Sequence, residues 1–273
     1  MSAPVRVSAR TIPWLLAGSA ILAQIAWPLT AGQARVATTQ AVVCLFAAAS
    51  VTHAGIWRGW AWAGRYTAVV LAFGFAVELL GTTTGFPFSP YEYTTVLQPQ
   101  LLGVPLLIPA AWTMMAYPAL LVGRTLGTRI RIRGAGRTGA RRRAIGQVAL
   151  GAWALASWDL FLDPQMVAEG YWRWSTAAVA LPGVPGIPVI NYLGWLLVSA
   201  ILMAMLTRVL PAASDSDPAD QGVPALLYGW TWIGGIVANA VFLGRPAVAL
   251  WGGIGMGLVA VPYLSAVVGR RRA

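Results

Sequence analysis

The sequence predicts an all-α, polytopic membrane helix bundle of about eight transmembrane helices, with both termini cytoplasmic. Three observations carry that expectation. Hydrophobic residues make up 58% of the 273-residue chain and charged residues only 10%, where a soluble domain has about a quarter charged. The apolar residues fall into runs of about 20, the length that crosses the hydrocarbon core of a bilayer. Finally, the 19 basic residues are all arginine and sit mostly between those runs, as topology control requires. With a mean hydropathy of +0.68, the lipid bilayer is the chain's main solvent.

The runs cover residues 12–31, 37–57, 66–82, 103–123, 145–162, 188–207, 224–243 and 247–268. The first follows Arg6 and Arg10 as a signal peptide would, but it is long for an h-region and more spans follow, so it reads as a retained helix. With a cytoplasmic N-terminus, 16 arginines lie inside and three outside: Arg35, Arg173 and Arg245. An even number of spans gives that asymmetry, and a one-span error after the third helix would scramble it. The net charge of +11 therefore belongs to topology, and no nucleic acid partner is expected. The length suits a single integral membrane domain, residues 1–273. It would carry a basic cytoplasmic loop, 124–144, and an acidic one, 208–223, in which Asp215, Asp217 and Asp220 read as solvated. Gly253 and Gly257 in the last run form a GxxxG pair, read as helix packing.

Chemistry is limited to a few side chains. Cys44 is the single cysteine and His53 the single histidine, which excludes thiolate and multi-histidine zinc sites. No metal centre is expected. His53 falls at the inner end of the second run, where a structural contact is the simpler reading. Outside the acidic loop the acids are Glu78, Glu92, Asp159, Asp163 and Glu169. At 1.5 Å per residue Glu78 lies about 18 Å into the third span and Asp159 about 21 Å into the fifth, so the acids fall in one half of the membrane. Each costs at least ~2.5 kcal/mol in hydrocarbon, which points to a shared polar pocket. Asp159 and Asp163, spaced i, i+4, share a helix face. Aromatic residues sit at similar depths: Trp112 and Tyr117 on the fourth run, Trp158 beside Asp159, and Tyr91, Tyr93, Trp172, Trp174 and Trp195 nearby. Trp172 and Trp174 read equally as interface anchors or site residues. Asn191 reads as a cap or as a residue that orients a carboxylate. The Gly- and Pro-rich connection 81–109 must be buried in protein or line a cavity.

Several of these motifs, taken in order, carry a resemblance. Glu78 followed by LLGTTTG and Phe86-Pro87-Phe88-Ser89-Pro90-Tyr91-Glu92-Tyr93, then Gly103-Val104-Pro105 and Trp112-TMMA-Tyr117, resembles the CruF-type carotenoid biosynthesis proteins, a carotenoid end-group hydratase family. The likeness continues through Trp158-Asp159-LFL-Asp163-Pro164, Trp172-Arg173-Trp174 and Gly186-Ile187-Pro188-VI-Asn191-Tyr192-Leu193-Gly194-Trp195, across roughly residues 74–207. Ser89 departs from the family pattern, which has glycine there.

The resemblance implies a cofactor-independent hydro-lyase in the cell membrane. It would add water to the terminal double bond of an acyclic ψ end group, of the γ-carotene, lycopene-derived or C50 bisanhydrobacterioruberin type. A carboxylic acid would protonate the alkene and a second carboxylate would position water against the tertiary cation. Asp159 is assigned as general acid, Glu78 as the base and Asp163 as their modulator, with the acid and base labels exchangeable. Trp112 and Trp158 would face the cation, and Phe88, Tyr91, Tyr93, Tyr117, Asn191 and Trp195 would complete the substrate site. Expected partners are a hydrophobic carotenoid, the bilayer and other carotenoid-pathway enzymes. The alternatives are a carotenoid cyclase, a membrane prenyltransferase or lycopene elongase suggested by Asp159-x3-Asp163, and a transporter or scaffold for carotenoid enzymes.

Overall fold

The computed structural model describes residues 8–129, 137–175, 179–211 and 220–272. The apolar runs form helices because the bilayer offers the backbone no other hydrogen-bond partner. The helices are α1 (Ile12–Ala26), α2 (Gly32–Arg58), α3 (Trp60–Thr84), α4 (Leu107–Gly127), α5 (Arg137–Ala156), α6 (Asp159–Ala168), α7 (Val189–Val209), α8 (Gly222–Val237) and α9 (Pro246–Arg272). Among the described residues, seven helical stretches are long and apolar enough to cross a membrane. The chain is an all-α membrane bundle.

Helix α4 is not among those seven although it spans 21 residues. Nearly all of it is buried, from Ile108 to Gly127, against α2, α3, α5, α8 and α9. A helix sheathed in protein can carry polar residues that a lipid-facing one cannot, and α4 buries Thr113, Tyr117 and Thr125. With α4, and with α5 and α6 taken as one stretch, the described residues form eight long helices, seven of them long and apolar enough to cross a membrane.

Two boundaries differ from the sequence expectation in ways that matter. The fourth run begins as strand, because Val104–Pro105 pairs with Gln100–Leu101 before α4 starts at Leu107. The fifth run is not continuous: α5 stops at Ala156, and α6 starts at Asp159 and runs on to Ala168. The junction tightens through bonds from Trp158 N to Leu155 O (3.3 Å) and from Phe161 N to Trp158 O (3.0 Å), three-residue spacings that turn the chain more sharply than an α-helix. Asp159 therefore opens a new helix instead of lying deep in an old one.

Contacts sort the arginines by bundle end. At one end Arg35 pairs with Glu169 at 3.1 Å, and Arg245 donates to Pro164 O at 3.3 Å. At the other, Arg10 lies 4.5 Å from the Trp57 ring centre, Arg124 donates to Leu210 O at 2.7 Å and Arg129 to Ala266 O at 3.4 Å. Arg6, Asp215, Asp217 and the middle of both expected cytoplasmic loops lie outside the described residues. Gly253 and Gly257 do serve packing: their faces approach Ile236 and Trp232 of α8.

The connections on the Arg35 side carry short strands that an all-α expectation omits. β1 (Tyr91–Tyr93) pairs antiparallel with β4 (Trp172–Trp174), β2 (Gln100–Leu101) with β3 (Val104–Pro105), and β5 (Ala180–Leu181) with β6 (Val184–Pro188). Backbone that leaves a helix within protein must still pair its N–H and C=O groups, and these ribbons do so.

Candidate active site

One face of α3 carries Gly74, Glu78 and Gly81, at i, i+4 and i+7. The two glycines let neighbours close in on the acid between them. A Cβ at Gly74 would lie 3.1 Å from the Trp112 ring, and one at Gly81 would lie 2.8 Å from the Tyr91 hydroxyl and 2.9 Å from Phe88. Glu78 is buried and accepts Trp112 Nε1 on Oε1 (2.9 Å), and the hydroxyls of Tyr91 (2.5 Å) and Tyr93 (2.6 Å) on Oε2. A carboxylate offers about four acceptor sites, so one stays open beside the cavity.

The β1–β4 ribbon delivers those tyrosines. Strand side chains alternate between faces, so the sequences Tyr-Glu-Tyr and Trp-Arg-Trp each put two aromatics on one face and a charge on the other. The register pairs Tyr91 with Trp174, Glu92 with Arg173 and Tyr93 with Trp172. Outward, Arg173 and Glu92 form an exposed 2.7 Å ion pair. Inward, Trp172 Nε1 reaches Asp163 Oδ1 at 3.1 Å and Trp174 Nε1 reaches Phe88 O at 3.0 Å. Burial first, and the Glu78 carboxylate next, push the Tyr91 and Tyr93 phenols well above their ordinary range. Both therefore remain protonated donors. Ser89 holds φ at 73°, a left-handed backbone that glycine takes without strain.

The second centre lies on α6. Asp159 and Asp163 are one turn apart, and Asn191 on α7 reaches both. Its Nδ2 donates to Asp159 Oδ2 at 3.0 Å and to Asp163 Oδ2 at 2.5 Å. Asn191 is thus no cap; it bridges the two carboxylates from within the first turn of α7. Asp159 Oδ1 and the nearby Tyr192 hydroxyl are buried with no hydrogen-bond partner among the described residues.

Both centres border one cavity of about 200 Å³, walled by α1, α2, α3, α4, α6, α7, α8 and the inner face of the ribbon. Of the expected site residues, Glu78, Asp163, Phe88, Tyr91, Tyr93, Trp112, Trp158, Asn191 and Trp195 line it. Trp112 and Trp195 stack with ring centres 4.6 Å apart, and Trp158 meets Trp195 edge-on at 6.1 Å. The pocket is wider than a junction of the third, fourth and fifth spans, since α1, α2 and α8 also border it.

Two expectations need correcting. Asp159, assigned as the acid, is not on the cavity wall; it is fully buried one turn behind Asp163, the residue cast only as modulator. Tyr117 does not line this cavity either. Its hydroxyl meets His53 Nδ1 at 2.9 Å, and its ring packs on Trp62 and Tyr66 toward the Arg58 end of α2. Five residues along α4 from Trp112 carry it about 7.5 Å down and onto another face. Tyr117→Phe is accordingly expected to leave turnover within about twofold while lowering stability by about 1 kcal/mol. A turnover assay beside a thermal melt checks both, and a large loss of turnover would place the site elsewhere.

Sequence reasoning left Trp172 and Trp174 undecided; the repeated aromatic–charge–aromatic pattern of the two strands was the available signal. It missed the contribution of α1 and α8, whose small and apolar residues read as packing.

Residues 39–264 match the model of a family described as "Carotenoid biosynthesis protein". The bisanhydrobacterioruberin hydratase of Haloarcula japonica is 32% identical over 145 residues, 52% of this chain and 44% of that protein. The match thus spans less than half of that relative's length. No solved structure matches the chain. The family match runs through Glu78, Asp159, Asp163 and Asn191 and covers well over half of the sequence, and the chain belongs to the carotenoid biosynthesis protein family.

Proposed function

We propose that the protein is a carotenoid hydratase, a cofactor-independent hydro-lyase that adds water across the terminal double bond of an acyclic ψ end group. The observation that carries this reading is the pair of separate carboxylate centres, Glu78 and Asp163, on the wall of one aromatic cavity within the bundle. Two carboxylates held this close cannot both carry charge, so Asp159 and Asp163 keep a proton between them, and Asp163 presents it to the cavity. The alkene π pair takes that proton at its less substituted carbon, leaving a tertiary cation at the dimethyl-bearing carbon. The faces of Trp112, Trp158 and Trp195 stabilise such a cation by ~2 kcal/mol or more in a dry site. Water held on the open acceptor site of Glu78 closes the C–O bond, and its surplus proton passes to Glu78. Return of that proton to the aspartate pair completes the cycle, with one water added. The hydratase activity named for the Haloarcula relative supports the same chemistry. The substrate would be of the lycopene-derived, γ-carotene or C50 type.

Expression in a lycopene-producing host, followed by mass analysis of the pigments, tests the proposal. The expected product is heavier than its precursor by one water. A product of unchanged mass with a new ring would instead mark a cyclase, which shares the protonation step. An unchanged pigment profile, repeated with a C50 substrate, would remove the enzymatic reading.

A further inference from the structure

On the α8 side of the cavity, the helix passes into a π-helical turn, Ala238–Phe242, a widening that recurs at functional sites. Its Asn239 lines the cavity and is only 1% exposed. Asn239 Nδ2 donates to Gly235 O at 2.9 Å. A carbonyl accepts only from a donor, so that bond fixes which end of the amide is nitrogen. What remains is Oδ1, a buried acceptor with no partner among the described residues. Buried side-chain acceptors are nearly always satisfied, and an exception on the wall of a binding cavity marks where a ligand supplies the donor. The cavity wall also carries apolar Phe161, Leu162 and Leu243 and polar Gln165 and Thr231, while Gln24 already accepts Trp230 Nε1 at 2.7 Å. The carboxylate centres are built to accept or deliver protons; Asn239 is a neutral acceptor set apart from them on another helix.

We propose that Asn239 is a hydroxyl-reading subsite that accepts a hydrogen bond from an alcohol on an otherwise hydrocarbon isoprenoid. This rests on the isoprenoid reading of the cavity and adds to it a residue that reads a hydroxyl on the bound chain. An O–H donor suits the site, because Asn239 Oδ1 is a neutral acceptor that a single hydrogen bond satisfies. The shared chemistry is an O–H donor, and the two sources are the substrate's own hydroxyl and a bound water.

The test compares wild type with Asn239→Leu in one detergent. Nerolidol and its deoxy hydrocarbon displace bound lycopene, read by recovery of the fluorescence of the tryptophans lining the cavity. Taking the wild-type-to-variant ratio cancels detergent partitioning. The wild type is expected to favour the alcohol over the hydrocarbon about tenfold more than the variant does, with hydrocarbon affinity unchanged between them. Equal loss for both ligands would assign Oδ1 to a bound water and overturn the proposal. A wild type without preference for the alcohol overturns it with no variant needed, and Asn239→Ala replaces Asn239→Leu if the latter fails to accumulate. A wild type that binds neither ligand would sink the isoprenoid reading itself, a distinct result from binding both alike.

Discussion

Asp163→Asn is expected to lower hydration turnover by about 10²–10⁴-fold, the usual contribution of a positioned general acid. The substitution keeps size and shape but removes the proton that Asp163 delivers to the cavity. It also sets an amide against the Asn191 Nδ2 group that now sits 2.5 Å from Asp163 Oδ2. Asp159→Asn is expected to cost about 10²-fold or less, because Asp159 does not line the cavity and would act by positioning its neighbour. The two variants, assayed in membranes for hydrated product per amount of protein, separate the roles. If Asp159→Asn were the more damaging of the pair, the acid would be Asp159 and the cavity-facing assignment would be wrong.

The second large effect is expected at Glu78, and on stability as well as turnover. Glu78→Leu leaves Trp112 Nε1 and the hydroxyls of Tyr91 and Tyr93 without their acceptor. Each buried orphan costs about 1–3 kcal/mol. The phenols cannot escape by ionising, since burial holds both well above their ordinary range. The sum predicts a thermal midpoint lower by about 10 °C, together with loss of hydration. Glu78→Gln keeps the volume and one acceptor oxygen, so it is expected to recover most of the melting temperature and little of the activity. Melting curves followed by near-ultraviolet circular dichroism check the first part. A Glu78→Leu protein that melts with the wild type would mean that the three bonds do not hold the ribbon to α3.

The hydrocarbon runs and their flanking arginines were enough to establish a helical membrane bundle, because a bilayer leaves the backbone few alternatives and arginine marks the ends. Residue depth also came from the sequence, since rise per residue is a local property; it placed Glu78, Asp159 and Asp163 in the same half of the bundle. The i, i+4 spacing likewise put the two aspartates on one helix face, where Asn191 reaches both. What each acid faces was settled only in three dimensions. Asp163 lines the cavity and Asp159 does not, and the interruption of the helix at Ser157–Trp158 has no sign in the periodicity of the apolar run. The joining of Tyr91–Tyr93 to Trp172–Trp174 links segments about 80 residues apart, and the site's aromatic lid depends on that register. Asn191 as a bridge, Tyr117 as the partner of His53 and the entry of α8 into the cavity wall have the same origin: they depend on which faces of separate helices meet, and packing between distant segments decides that.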